Sequence, residues 1–195
     1  MLWLILLLVV AAVVAGVVVA RKSRSTALRE RFGAEYDRAV EEHGDRRKAE
    51  AGLRAVAKRR VSLDIQPLAP ASRDRYALRW RDAQARFVDA PVRAVAEADS
   101  LVGQVLRERG YPTGDFEEQV AMMAADHGDR ADDYRRANAI HRGAEGDGDT
   151  DALREAFLHY RVVFNALVGD APTAGATATA AGDDKARRNP ASWPS

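Results

Sequence analysis

The chain has 195 residues, 30% charged and 47% hydrophobic, and its 30 Lys and Arg against 29 Asp and Glu leave a net charge of +1. This composition excludes a disordered acidic chain and a polytopic membrane protein, and leaves room for one core. The absence of cysteine excludes a disulfide framework, thiol catalysis and thiolate-bound zinc or iron–sulfur sites.

The near-neutral total is a cancellation: residues 21–60 carry +6, residues 61–169 carry −5 and residues 170–195 carry 0. Of the 30 basic residues 26 are Arg, which with the abundance of Ala reflects a high-GC coding bias. Arg content alone therefore says nothing about binding to phosphate or nucleic acid.

Leu2–Ala20 is an uncharged apolar run of 19 residues, about 28 Å long as a helix and so close to the hydrocarbon thickness of a bilayer. It predicts a single transmembrane helix over residues 1–20. A signal peptide would carry a basic region before its apolar run. Here nothing basic precedes Trp3, and Arg21, Lys22 and Arg24 follow. By the positive-inside rule those three residues face the cytosol at the anionic headgroups, the N-terminus lies outside, and the rest of the chain is cytosolic on the cytoplasmic membrane. The alternative is export with cleavage after Ala20. Ala12, Gly16 and Ala20 recur every four residues on one helix face, the spacing that lets two spans approach as a homodimer, although such spacing arises readily in a Leu/Val/Ala/Gly segment.

Residues 21–63 read as basic juxtamembrane helices, a stalk or hairpin broken at His43-Gly44-Asp45, with Asp45 capping the second helix. Ala49, Leu53, Val56 and Leu63 mark a thin apolar seam, and Glu50 and Arg54 stand at i,i+4 on the wet face. Arg46, Arg47, Lys48, Lys58, Arg59 and Arg60 reach the membrane surface only if the chain folds back at Gly44, because a straight helix carries them far beyond a Debye length of about 8 Å. A solvated helix face balanced by Glu41, Glu42 and Glu50 accounts for the same residues. Pro67 and Pro70 mark a linker over residues 64–71.

Residues 72–169 read as an acidic all-α bundle of five helices with short connections. Ser72 caps a helix whose stripe is Tyr76, Trp80, Ala83 and Phe87, ending at Val88. Asp89 caps the next, with Pro91 in its first turn and Val92, Val95, Val102, Val105 and Leu106 inward, closing at Gly110-Tyr111-Pro112. Asp115 and Asp129 start two shorter helices with Phe116, Val120 and Met123, then Tyr134, Ala137 and Ile140, on their apolar sides. Gly143–Gly148 is an acidic loop, and Thr150 caps a last helix carrying Leu153, Phe157, Tyr160, Phe164 and Leu167. Residues 170–195, rich in Pro, Gly, Ala and Thr, read as a disordered tail; Trp193 is a candidate docking handle, although an isolated terminal tryptophan in such a tail more often has no role.

Arg31-Phe32-Gly33-Ala34-Glu35-Tyr36-Asp37-Arg38, Leu63-Asp64-Ile65-Gln66-Pro67-Leu68, Tyr76, Trp80, Gln84-Ala85-Arg86-Phe87-Val88-Asp89, Ala96-Glu97-Ala98-Asp99 and Arg109-Gly110-Tyr111-Pro112 form a series. From about Leu28 to Leu167 it resembles a family of uncharacterised single-span proteins of high-GC bacteria, described as membrane or secreted proteins. The resemblance implies no activity, ligand or catalytic residue.

The chemistry must come from the residues themselves. His127, His141 and His159 are the candidates for a metal or acid–base site of a helical metal-dependent enzyme, but they lack the H-E-x-x-H spacing of helical zinc ligands. Asp99 interrupts the valine stripe and so reads as a buried carboxylate paired with Arg135 or Arg161. With no G-x-G-x-x-G, Walker loop or G-x-S-x-G, no cofactor is expected and serine hydrolysis has no support. The acidic bundle, lacking interleaved aromatic and basic residues, argues against nucleic acid. By elimination the chain reads as a membrane-anchored helical interaction or scaffold module that docks an unidentified protein at the inner leaflet.

Overall fold

The computed structural model describes residues 2–144 and 149–169, without the side chains of positions 2, 4, 5, 14, 17, 18 and 21. The expected tail with Trp193, and most of the acidic loop, lie outside the described residues. Among the described residues eight helices follow one another: α1 (Leu2–Phe32), α2 (Ala34–His43), α3 (Arg46–Ser62), α4 (Pro70–Arg86), α5 (Pro91–Arg109), α6 (Phe116–His127), α7 (Ala131–Gly143) and α8 (Thr150–Gly169), with a 3-10 turn at Gly128–Arg130. No strand occurs among the described residues, so the all-α bundle expected from the periodicity is the fold. The apolar run and the basic stretch after it are one continuous helix of 31 residues. Among the described residues no helix is long and apolar enough to cross a membrane, a set to which positions 2, 4, 5, 14, 17 and 18 contribute no side chain.

Two aspartates start their helices as the sequence predicts. The Asp45 carboxylate accepts the Arg47 N–H at 2.8 Å and that of Asp115 accepts the Glu118 N–H at 2.9 Å, each covering a donor the helix cannot use. Elsewhere the starts shift. Helix α4 begins two residues before Ser72, because Pro70, with its φ already fixed, takes the first helical position, and Ser72 is buried beside Arg75. Proline does the same for α5: Ala90, not Asp89, precedes Pro91, and no side chain caps the end. Asp129 lies within the 3-10 turn, with its carboxylate against Gly33. Asp149 accepts the Asp151 N–H at 3.1 Å, one position ahead of the expected Thr150.

The core centres on α8, which packs against α7 and α5. Leu153, Phe157, Tyr160, Phe164 and Leu167 are all buried, as are Val95, Val102, Val105 and Leu106 opposite them. Trp80 of α4 stacks on Phe164 at 4.4 Å and tilts against Phe157 at 5.0 Å, placing three large rings where α4 meets α8. Two expected core positions are corrected: Val88, in the turn after α4, is 86% exposed, and Val92, in the first turn of α5 ahead of the buried run that starts at Ala94, is 47% exposed.

Residues 21–63 do not stand apart as a stalk. Leu28, Phe32, Tyr36, Ala39, Ala49 and Leu53 belong to the same buried cluster as the later helices. Among the described side chains of α1 only Ser25, Leu28 and Phe32 are buried, so just its last two turns dock. The Arg31 Nε donates to the Ala125 carbonyl at 2.9 Å, and a Cβ built on Gly128 would lie 2.6 Å from the Phe32 carbonyl carbon and 2.7 Å from the Arg31 carbonyl oxygen. Only glycine lets the end of α1 come that close. Across the other face, Arg135 of α7 grips the Glu35 carboxylate of α2 with both terminal nitrogens and reaches Glu117 of α6 through Nε at 2.9 Å. The segment between α3 and α4 is likewise part of the core: Ile65 and Leu68 are buried, and the Gln66 N–H donates to the Arg109 carbonyl at 2.9 Å.

These close approaches predict opposite effects at two helical-region glycines. Gly128→Ala is expected to lower the unfolding free energy by about 1–3 kcal/mol through overpacking. Gly52→Ala, whose new methyl meets nothing within 4 Å, is expected to raise it by about 0.5–1 kcal/mol. Denaturant titration of the full chain in mild detergent, followed by far-ultraviolet circular dichroism, reads both.

Candidate functional site

Beyond its docked end α1 projects an apolar surface. Trp3 is 79% exposed, and Leu6, Leu7, Leu8, Val9, Val10, Val13 and Val19 are all more than half exposed. Ala12, Gly16 and Ala20 are exposed on it as well, and Gly16 has nothing within 4 Å of the position a Cβ would take. Lys22 and Arg24 follow, both exposed, while the Arg21 side chain lies outside the described residues.

Beside Lys22 and Arg24 the chain comes back. Gly44 ends α2 in the left-handed region, φ 61°, and the turn there brings the start of α3 against the middle of α1. Four side chains join at this point. The Ser25 and Tyr36 hydroxyls are 3.0 Å apart, and the Tyr36 hydroxyl donates to Glu50 Oε1 at 3.0 Å. The Arg46 Nε reaches the Tyr36 oxygen at 2.9 Å and Glu50 at 3.1 Å, and its Nη2 contacts Ser25. Arg54 holds the other Glu50 oxygen at 2.8 Å. Burial alone would raise the Glu50 pKa, but hydrogen bonds from Ser25, Tyr36 and Arg46, with the charge of Arg46, outweigh it and hold the carboxyl below its ordinary range. Lys22, Arg24, Ser25, Arg46, Arg47, Glu50 and Arg54 line an open groove of about 740 Å³.

The basic residues of 46–60 therefore divide. Arg46 and Arg47 turn back to the end of the apolar run, whereas Arg59 pairs with Glu118 and Arg60 with Asp126, both on α6. Sequence spacing places these residues on one charge-rich helix and cannot say which end folds back. Arg54, read as the wet-face partner of Glu50, is a wall of the groove.

The histidines do not converge. His159 Nδ1 lies 2.7 Å from Asp133 Oδ1, tying α8 to α7, and the His141 ring meets Tyr160 edge-on at 6.3 Å. His127 sits at the end of α6 in a separate open cleft with Glu30, Asp126 and Asp129. Among the described residues no group of three or more His, Asp or Glu could hold a metal ion. The partner expected for Asp99 is corrected: its carboxylate accepts the Tyr160 hydroxyl at 2.8 Å, and Arg135 is committed to Glu35. The expectation failed because Glu35 stands in a segment that reads as a stalk remote from the bundle. Burial, with Asp99 alongside, raises the Tyr160 pKa, so that hydroxyl stays a donor.

No family model matches the chain, and no curated protein or solved structure matches it either.

The depressed Glu50 pKa fixes a sign. A carboxyl held low in the folded state contributes stability above its unfolded value and loses it as pH falls through the folded one. Acidification below the ordinary glutamate value of 4.5 should therefore weaken the α1–α3 junction. Glu50→Gln is expected to be less stable than wild type at neutral pH and to lose less on acid titration, as read by thermal midpoints across pH.

Proposed function

We propose that the protein is a single-span, membrane-anchored helical module whose bundle is held at the inner leaflet and offered to a protein partner. The observation that carries this is the exposed apolar surface of α1, continuous with a helix whose last turns are locked into the bundle. An apolar surface on all sides of a helix needs a covering, and an uncharged run about 28 Å long matches the hydrocarbon of one bilayer. Trp3 then lies at the outer interface. Lys22 and Arg24 lie at the inner one, each contributing about 1 kcal/mol with anionic lipid, small beside the apolar transfer that does the anchoring.

The anchoring is stiff. Because the end of α1 is docked through Leu28, Phe32 and Arg31, the bundle keeps one orientation relative to the span, which a tether of flexible chain would not give. Val88 and Val92 stand exposed at the turn between α4 and α5, the kind of apolar handle a docking partner covers. A homodimer would use the Ala12, Gly16 and Ala20 face. The resemblance to single-span proteins of high-GC bacteria agrees with this reading. Export with cleavage after Ala20 is the competing topology, and a metal-dependent enzyme using His127, His141 and His159 the competing function.

The cysteine-free chain permits a direct topology test. Ser25, at the membrane flank, is 5% exposed and unsuitable for labelling, but Ser23 and Ala139 are exposed. Single-Cys variants Ser23→Cys and Ala139→Cys in living cells are expected to react with an impermeant maleimide only after the cells are opened. Labelling of intact cells would overturn the cytosolic topology, and a mature chain whose mass begins at Arg21 would establish export.

A further inference from the structure

The groove between α1 and α3 has properties that the bundle does not need. Five cations, Lys22, Arg24, Arg46, Arg47 and Arg54, surround one carboxylate, Glu50. Glu50 is saturated by Arg46, Arg54 and Tyr36. Among the described residues no acid pairs with Lys22, Arg24 or Arg47, so the groove keeps an uncompensated positive charge. Beyond the Asp45 cap it also departs from a local rule of helix design. The first turn of α3 carries Arg46, Arg47 and Lys48 and no acid, which sets cations against the positive end of the helix. Two other helices with an Asp at their start follow the rule: α6 carries Glu117 and Glu118 in its first turn and α8 carries Asp151. The Asp45 cap supplies one negative charge at that end, and three cations crowd around it, so a further anion beside them is favoured.

The groove is also partly preorganised. Arg46 is held by Tyr36, Ser25 and Glu50, so its guanidinium plane is set before any ligand arrives, and Arg offers planar paired donors that match a phosphate. Its position gives the source of the ligand. Lys22 and Arg24 lie within about 6 Å, four residues of helix rise, of Ala20, where the apolar run ends. That is the depth of lipid headgroups.

We propose that this groove binds a phosphate-bearing anion, and that its occupant is the phosphate of an anionic lipid headgroup in the leaflet beside Lys22 and Arg24. The choice of headgroup over free phosphate rests on the membrane reading above; the phosphate chemistry rests on the groove. Bound there, a headgroup bridges α1 to α3 and so fixes the hairpin against the membrane surface as well as against the bundle.

The test uses the full chain. Flotation with phosphatidylcholine vesicles reads the anchor alone. In nanodiscs, replacing part of the phosphatidylcholine with phosphatidylglycerol is expected to raise the thermal midpoint by roughly 2–4 °C. The double variant Arg24→Gln with Arg47→Gln should lose that rise while matching wild type in phosphatidylcholine, since neither side chain holds an acid in the fold. A second double variant, Lys58→Gln with Arg93→Gln, removes the same charge outside the groove and should keep the rise. Equal midpoints in the two lipids, or a rise that survives the first double variant, would overturn the headgroup site. In detergent, inorganic phosphate separates the sources: a rise with phosphate as large as that with phosphatidylglycerol would overturn the lipid as occupant. A chain that fails to float defeats the anchor, and the phosphate titration of wild type against the first double variant then judges the groove on its own.

Discussion

The guanidinium of Arg109 is the constraint around which the bundle closes. It is 2% exposed, the largest fully buried side chain among the described residues. Burying a cation costs several kcal/mol unless every donor is met. Here Nη1 donates to the Leu167 carbonyl at 2.8 Å, near the end of α8, and Nε lies 3.4 Å from the Gln66 carbonyl, while the Tyr111 ring stands 5.7 Å from the guanidinium carbon. The Leu167 carbonyl is one of those a helix end leaves unpaired, at the negative end of the helix dipole, so cation and carbonyl relieve each other. Beside it Gly110, φ 95°, lets the chain turn where a Cβ would lie 2.5 Å from the Asp64 carbonyl oxygen. One side chain thus joins the ends of α5 and α8 to the segment leading out of α3.

From that junction the order spreads toward the base of α1. Tyr111, whose pKa burial raises and Asp126 raises further, donates to the Asp126 carboxylate at 2.7 Å, and Arg60 takes the same carboxylate from α3. Asp126 stands two residues before the Gly128 contact that receives the end of α1. The chain of contacts therefore runs from the heart of the bundle through Tyr111, Asp126 and α6 to the base of the apolar helix. Each link in it is a hydrogen bond, an ion pair or a close backbone approach, and this continuity fixes the docked end of α1 to the bundle.

Local features were legible in the sequence and long-range ones were not. Asp45, Asp115, Gly44 and Gly110 announce helix ends because their effects are complete within a few residues. The stripe from Leu153 to Leu167 is legible because burial repeats at the helical period. Proline outranked the nearby caps at α4 and α5, since a fixed φ needs no partner. Arg109, by contrast, is one of 26 arginines, and nothing local distinguishes a buried one from a solvated one. Arg135 found Glu35 100 positions away, across a segment that composition separates from the bundle. For the candidate site, Lys22 and Arg24 were evident from their place after the apolar run, but the return of Arg46 and Arg47 depends on the handedness of one turn at Gly44.

The charge asymmetry of the sequence takes on a different meaning in three dimensions. An excess of +6 in residues 21–60 beside −5 in residues 61–169 suggests a basic stalk under an acidic head. Instead the two interleave. Arg38, Arg59 and Arg60 neutralise Glu117, Glu118 and Asp126 on α6, so part of the basic excess is consumed in fastening the hairpin to the bundle. Arg135 adds a pair of the opposite sense, a bundle cation on the hairpin carboxylate of Glu35. What the fastening leaves over includes the uncompensated charge of Lys22, Arg24 and Arg47, at the one place where the apolar helix emerges. Fold pairing and residual charge are thus complementary uses of one basic segment: the acids of α6 select which cations hold the structure, and the remainder face whatever lies at the end of the apolar run.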